Sequence, residues 1–211
     1  MIKKIFLFVI LLNYPLFSQN TEVARKLLDE VSIKVSSFKN INFDFTYVLE
    51  NRPENIRQET NGSVTISKDL YRINLLGYEQ LFDGKMTYTI VPENEEITVS
   101  DPEEESEFGI NPSELLTIYK KDYAYQWDIK QNVMGTPVQF IKLIPNEEKK
   151  EIKYLLLGID MRTKLIYRLI EIGRYDTQTT LTLKNIKTNI ILKDDFFLFD
   201  KNKYPDYYIN Y

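Results

Sequence analysis

The sequence predicts a mainly β, single-domain protein with α-helical additions: one curved antiparallel sheet of about ten or eleven strands, carrying two helices on its concave side. Three observations lead there. From residue 41 onward, apolar residues recur at every second position in short runs. Turn-forming pairs such as Asp83-Gly84 separate those runs. Helical spacing is confined to two stretches, residues 21–38 and 111–120.

The elements follow in chain order. Between Thr21 and Phe38, Ala24, Leu27, Leu28, Val31, Val35 and Phe38 fall on one helical face, with Thr21 placed to cap the N-terminus. Ile41, Phe43, Phe45 and Tyr47 then alternate with Asn42, Asp44 and Thr46, the pattern of a half-buried strand. Ser63–Ser67, Leu70–Leu75, Glu79–Phe82, Lys85–Ile90 and Ile97–Val99 complete a meander, with Asp83-Gly84 read as a two-residue hairpin turn. The acidic run Asp101–Glu107 reads as a solvated loop, since calcium ligation needs more regular spacing. Asn111 and Pro112 suit the N-cap and first position of a short helix carrying Leu115, Leu116, Ile118 and Tyr119. A second strand series follows: Tyr123–Ile129, Pro137–Ile144, Ile152–Ile159, Lys164–Ile172 and Gln178–Ile186. Phe196, Phe197 and Phe199 close it. A flat sheet of this size is disfavoured, so it curls, and its concave apolar face needs the two helices as a cover.

Composition narrows the function classes. A chain of 211 residues is long enough for a sizeable single core. The 15 Tyr and 12 Phe favour strands, and 7 Gly and 8 Pro argue against low-complexity structure. The net charge is −4 and no basic cluster runs along the chain, so nucleic acid is not an expected partner. The absence of Cys and His removes the Ser-His-Asp triad, the cysteine nucleophile, the thiolate zinc site and the histidine base. No metal and no cofactor is expected, and no enzyme activity. A glycosidase built on paired carboxylates stays conceivable, but the acidic residues fall mostly in turns rather than pointing inward as a pair.

The first 18 residues read as a cleaved secretory signal, leaving residues 19–211 as one domain. Lys3 and Lys4 precede the unbroken apolar run Ile5–Leu12, and Ser18 suits the position before a cleavage site. Asn13 and Pro15 interrupt the run before it reaches the length of a membrane span. Export to the periplasm is the expectation.

Five segments, in order, resemble the periplasmic lipoprotein carrier (LolA-like) family. They are Ala24–Val31 leading into Ile41–Phe45; Asn61–Ile66 followed by Leu70–Ile73; Leu81–Glu93 around Asp83-Gly84-Lys85; Asn111–Leu116; and Asp195–Phe199 with Pro205. The resemblance spans nearly all of the mature chain. It implies a half-barrel of antiparallel strands covered by two or more short helices, with a lipid cavity between them. It further implies lipoprotein acyl chains (or another lipid) as cargo, an inner-membrane releasing transporter and an outer-membrane acceptor as partners, and a monomer. Better-known members carry a basic residue before a Pro that helps to hold the lid closed. Here the segment is Ser67-Lys68-Asp69, without the Pro, so either Lys68 or Arg72 is a candidate for contact with the lid or a head group.

An acyl chain in water costs about 0.8 kcal/mol per exposed methylene, and an apolar cavity under a movable lid offsets that reversibly. The candidate wall is Phe43, Phe45, Tyr47, Ile66, Tyr71, Ile73, Met86, Tyr88, Ile90 and Phe140. The candidate lid is Leu115, Leu116, Ile118 and Tyr119. Aromatic and Met side chains serve a lipid cavity and a dry core equally well, so the pattern alone leaves both open. The competing reading is an envelope protein of the same fold that acts as a sensor or interaction module without transport.

Overall fold

The computed structural model describes residues 17–101, 112–120, 122–146 and 152–211. The chain runs α1 (Phe17–Ser36), β1 (Ile41–Asn51), β2 (Ile56–Ser67), β3 (Leu70–Leu75), β4 (Tyr78–Phe82), β5 (Thr87–Val91), β6 (Glu96–Ser100), α2 (Pro112–Leu115), β7 (Tyr123–Val133), β8 (Thr136–Pro145), β9 (Ile152–Asp160), β10 (Leu165–Gly173), β11 (Thr177–Thr188) and β12 (Tyr208–Asn210). All twelve strands form one open sheet in the order β12-β6-β5-β4-β3-β2-β1-β11-β10-β9-β8-β7.

Two meanders meet in the middle. β1 pairs antiparallel with β2 on one side and with β11 on the other, so Phe45 lies between Gly62 and Leu183. β6 and β7, consecutive strands in the chain, therefore stand toward opposite edges of the sheet. Between them in the chain, Pro112–Leu115 packs against β2 and β3. α1 covers the other half of the same face, against β7 and β10. Ala24, Leu27, Leu28 and Val31 of α1 are buried in one core with Ile41, Phe43, Ile66, Tyr71, Ile141, Leu155, Leu157 and Leu183. A salt bridge of 3.0 Å from Lys164 Nζ to Glu30 Oε2 ties α1 to the β9–β10 turn.

The opposite, convex face is polar over β1 and β2, where Thr46 donates to Asn61 Oδ1 at 2.7 Å and Lys184 donates to Thr46 at the same distance. Over β5 and β6 it carries a second, smaller core. Ile90, Ile97 and Val99 are sealed there by Phe199, Tyr204, Tyr207 and Ile209 of the C-terminal segment. Phe199 stacks on Tyr88 at 4.3 Å, and β12 extends the sheet by pairing parallel with β6.

Several expectations are corrected. The sheet has twelve strands rather than ten or eleven, because β12 is three residues long and too short to show a period. In place of two or more covering helices, only α1 exceeds a single turn among the described residues. The stretch that reads as a second helix is one α-turn followed by the 3-10 turn Ile118–Lys120. α1 begins at Phe17, so Thr21 lies inside it rather than capping it; residues 20–23 are exposed and leave no apolar signal. β2 starts at Ile56 instead of Ser63, since its first half pairs with β1 beyond the covered core and carries exposed polar residues. The Asp83-Gly84 turn is a four-residue loop, Asp83–Met86: Phe82 pairs with Thr87, and Asp83 Oδ1 accepts from the amides of Lys85 at 2.8 Å and Met86 at 2.9 Å. Phe196, Phe197 and Phe199 belong to no strand but to the irregular segment on the convex face. Residues 1–16 of the expected signal, most of the acidic run and Asn111 lie outside the described residues.

Candidate functional site

Register decides which side chains share the concave face. Phe43, Val64 and Ile73 are cross-strand neighbours, as are Phe45, Gly62 and Leu75. On the other side of β1, Tyr47 faces Leu181, and Leu181 faces Leu169. Toward β1's N-terminal end this face is closed by α1. Toward its C-terminal end a cavity of about 420 Å³ remains open. Its interior is lined by Phe45, Tyr47, Val64, Ile73, Leu75, Leu115, Leu169 and Leu181, and its outer part by Gln58, Glu59, Thr60, Tyr78, Glu171 and Thr179. The volume is in the range of cavities that enclose small ligands, with polar groups gathered at the mouth.

Phe45 is held across Gly62. A methyl group on Gly62 would overlap the Phe45 ring and stand 2.6 Å from the Asn74 carbonyl oxygen. The missing side chain lets the ring lie flat on the sheet and leaves space above it. Leu115 of α2 and Pro112 roof the cavity. Beside it, burial raises the Tyr71 phenol above its ordinary value; its hydroxyl lies 3.3 Å from Gln80 Oε1, to which it donates. Burial likewise raises the Tyr119 phenol. Tyr125 Oη donates to the Tyr119 carbonyl at 2.5 Å, tying the segment after α2 to β7.

The family model for the outer membrane lipoprotein carrier protein LolA matches residues 36–200. The chain belongs to the LolA family. That family is one of lipoprotein carriers rather than of enzymes. Among curated proteins no sequence matches this one. Solved structures share the fold at low identity. An uncharacterized conserved protein from Thermus thermophilus is 11% identical with a TM-score of 0.56, covering 89% of this chain and 98% of that one. A DUF1329 family protein from Desulfovibrio piger is 10% identical with a TM-score of 0.52, covering 88% and 99%. LprF from Mycobacterium bovis is 10% identical with a TM-score of 0.51, covering 82% and 96%. Among the described residues no helix is long and apolar enough to cross a membrane, and no cluster of three or more acidic side chains is placed to hold a metal ion.

Within this LolA-family fold, the residues singled out from sequence separate into four groups. Phe45, Tyr47, Ile73 and Leu115 border the cavity. Phe43, Ile66, Tyr71, Leu116 and Tyr119 are packed in the neighbouring core, with Ile118 at its margin. Tyr88, Ile90 and Met86 are not walls of this cavity: they pack on the convex face with the C-terminal segment. Phe140 also faces away, with its ring against Gly158 on the side of β8 opposite Ile141. Among the described residues neither basic candidate contacts α2. Lys68 sits exposed at the β2–β3 turn, at φ 56°. Arg72 pairs with Thr65 on the convex face. There its Nη1 approaches Glu79 Oε1 at 3.2 Å, and the Phe196 ring covers the guanidinium at 5.1 Å. Its Nε and that Glu79 oxygen are buried without an aligned hydrogen bond.

Sequence reasoning missed Val64, Leu75, Leu169 and Leu181 as wall residues. Their two-residue spacing with Ile66, Ile73 and Leu183 was a usable signal, but pairing of β1 with β11, more than a hundred residues later, is what brings Leu169 and Leu181 to Phe45 and Tyr47.

Proposed function

We propose that this protein is a periplasmic carrier that shelters the acyl chains of lipoproteins, or of another lipid, in the cavity under α2, and conveys them toward the outer membrane. The observation that carries this reading is an apolar, partly open space of about 420 Å³ between the sheet and its smallest covering element. A core built only for stability closes such space, because unfilled volume costs packing energy. Each methylene withdrawn from water contributes about 0.8 kcal/mol, so even part of an acyl chain is held usefully yet reversibly. α2 is a single turn, and on this reading it moves aside to admit the chain. On this reading residues 1–18 direct export and are removed, an inner-membrane transporter loads the cargo, and an outer-membrane acceptor receives it.

The test is direct. The protein purified from its native envelope is analysed by mass spectrometry under non-denaturing conditions, and the lipid-free form is titrated with a fluorescent fatty-acid probe. Bound acyl species and saturable, one-to-one probe binding are expected. Absence of both would remove the carrier reading.

A further inference from the structure

The convex face carries a second depression, on the far side of the sheet from the acyl cavity. It is an open cleft of about 530 Å³. Register builds its floor. Ser63, Asn74 and Glu79 are successive cross-strand neighbours on β2, β3 and β4, and Asn61 stands two residues before Ser63 on the same face of β2. Tyr204, from the C-terminal segment that seals Ile90 and Ile97, forms the wall together with Pro92.

The floor offers hydrogen-bonding groups outward. Ser63 and Asn74 make no side-chain hydrogen bond among the described residues. Asn61 commits its Oδ1 to Thr46 and keeps its amide hydrogens as donors. Glu79 turns Oε1 toward Arg72 Nη1 at 3.2 Å, yet its side chain is still 22% exposed at the cleft. The Tyr204 ring is braced from behind: it lies parallel to Phe199 at 5.8 Å and edge-on to Tyr207 at 5.1 Å. Burial raises its phenol above the ordinary value, and the Glu79 carboxylate adds to that shift, so the hydroxyl belongs to the same polar group.

Three features select a ligand class. The lining holds one carboxylate and no Lys or Arg, which disfavours an anion. Its polar floor disfavours an acyl chain, which would strip water from those groups without replacing their hydrogen bonds. β2, β3 and β4 each have a strand on both sides, so their backbone groups are already paired and a peptide cannot add as another strand. A small neutral molecule, dense in hydroxyl groups and with an apolar C–H face for an aromatic ring, meets all three conditions.

We propose that this cleft binds a neutral saccharide, with hydroxyls on Asn61, Ser63, Asn74 and Glu79 and one sugar face against Tyr204. The inference goes beyond the carrier reading and does not depend on it. Such a sugar has two sources, a free glycan or the head of a lipid, because the cleft and the acyl cavity share Leu75, Leu76 and Tyr78 at their rims.

The experiment titrates the isotope-labelled full mature chain with neutral disaccharides (maltose, lactose, mannobiose and diacetylchitobiose) and, separately, with dodecyl maltoside below its micelle concentration. NMR follows the side-chain amides of Asn61 and Asn74. Saturable shifts of these resonances are expected. Asn74→Ala, at an exposed position, is expected to weaken binding by about three- to ten-fold, the worth of one neutral hydrogen bond. Tyr204→Leu is expected to weaken it at least as much through the lost ring. Binding of a disaccharide with these losses marks a free sugar as the ligand. Binding of dodecyl maltoside alone, with the same losses, marks a lipid head. The proposal is overturned if none of these ligands shifts the two resonances, or if either variant, still folded by its melting temperature, binds them as the parent chain does. Failure of the carrier reading shows separately, as absence of fatty-acid probe binding by the parent chain, a property neither substitution should alter.

Discussion

Replacing Leu181 by Phe separates an acyl-binding space from an ordinary core more sharply than truncation does. Leu181 projects from β11 into the cavity, opposite Tyr47 and Leu169. Phe has three more carbons than Leu. In a filled core such an enlargement costs about 1–3 kcal/mol in strain. Here the ring enters existing space, so little loss of stability is expected. The same ring displaces about three methylenes of a bound chain. At ~0.8 kcal/mol each that is about 2.4 kcal/mol, or roughly a sixty-fold weaker dissociation constant. Leu157→Phe serves as the control: Leu157 is fully buried and does not border the cavity. It should lower the melting temperature by several degrees, at about 2–4 °C per kcal/mol for a chain of this length, and leave probe affinity nearly unchanged. Differential scanning fluorimetry and probe titration on both variants provide the four measurements. If Leu181→Phe destabilises as much as Leu157→Phe while still binding probe like the parent chain, the space is not where the chain sits.

Gly62→Ala should destabilise by about 1–3 kcal/mol in urea unfolding, because the new methyl overlaps the Phe45 ring and presses on the Asn74 carbonyl; an unchanged midpoint would mean that the ring moves freely. Arg72→Ala removes both the partner of Glu79 and the cation under Phe196, so limited proteolysis should cut the segment 189–206 faster while probe binding persists; unaltered cleavage would deny Arg72 its anchoring part. Stability should also fall in alkali. Burial holds the Tyr71 and Tyr119 phenols above their ordinary value near 10, so the native state keeps protons that the unfolded chain has lost. The stabilisation is whole below about pH 10 and disappears as pH climbs through the raised values; phenolate absorbance should show a delayed fraction of tyrosines, and an undivided titration at the free-tyrosine value would contradict it.

Local patterning in the chain is enough to determine the element types. Period-two alternation in Ile41–Tyr47 and Leu70–Leu75, and the helical face from Ala24 to Val31, express how neighbours along a backbone sort into water and core. The missing Cys and His likewise rule out whole classes of chemistry by composition alone. Alternation says that two sets of side chains point opposite ways, not which way is concave. In β5 the apolar set, Tyr88 and Ile90, points to the convex face, and the threonines Thr87 and Thr89 point inward. The cause lies over a hundred residues downstream, where Phe199, Tyr204 and Ile209 fold back to cover that face. Arg72 follows the same logic, held by Glu79 and Phe196 rather than by anything near α2. The cavity itself depends on the β1–β11 pairing and on α2 packing against β2 and β3, strands distant from it in the chain. Contacts of that separation are settled by register and chain topology, which no local window of residues contains.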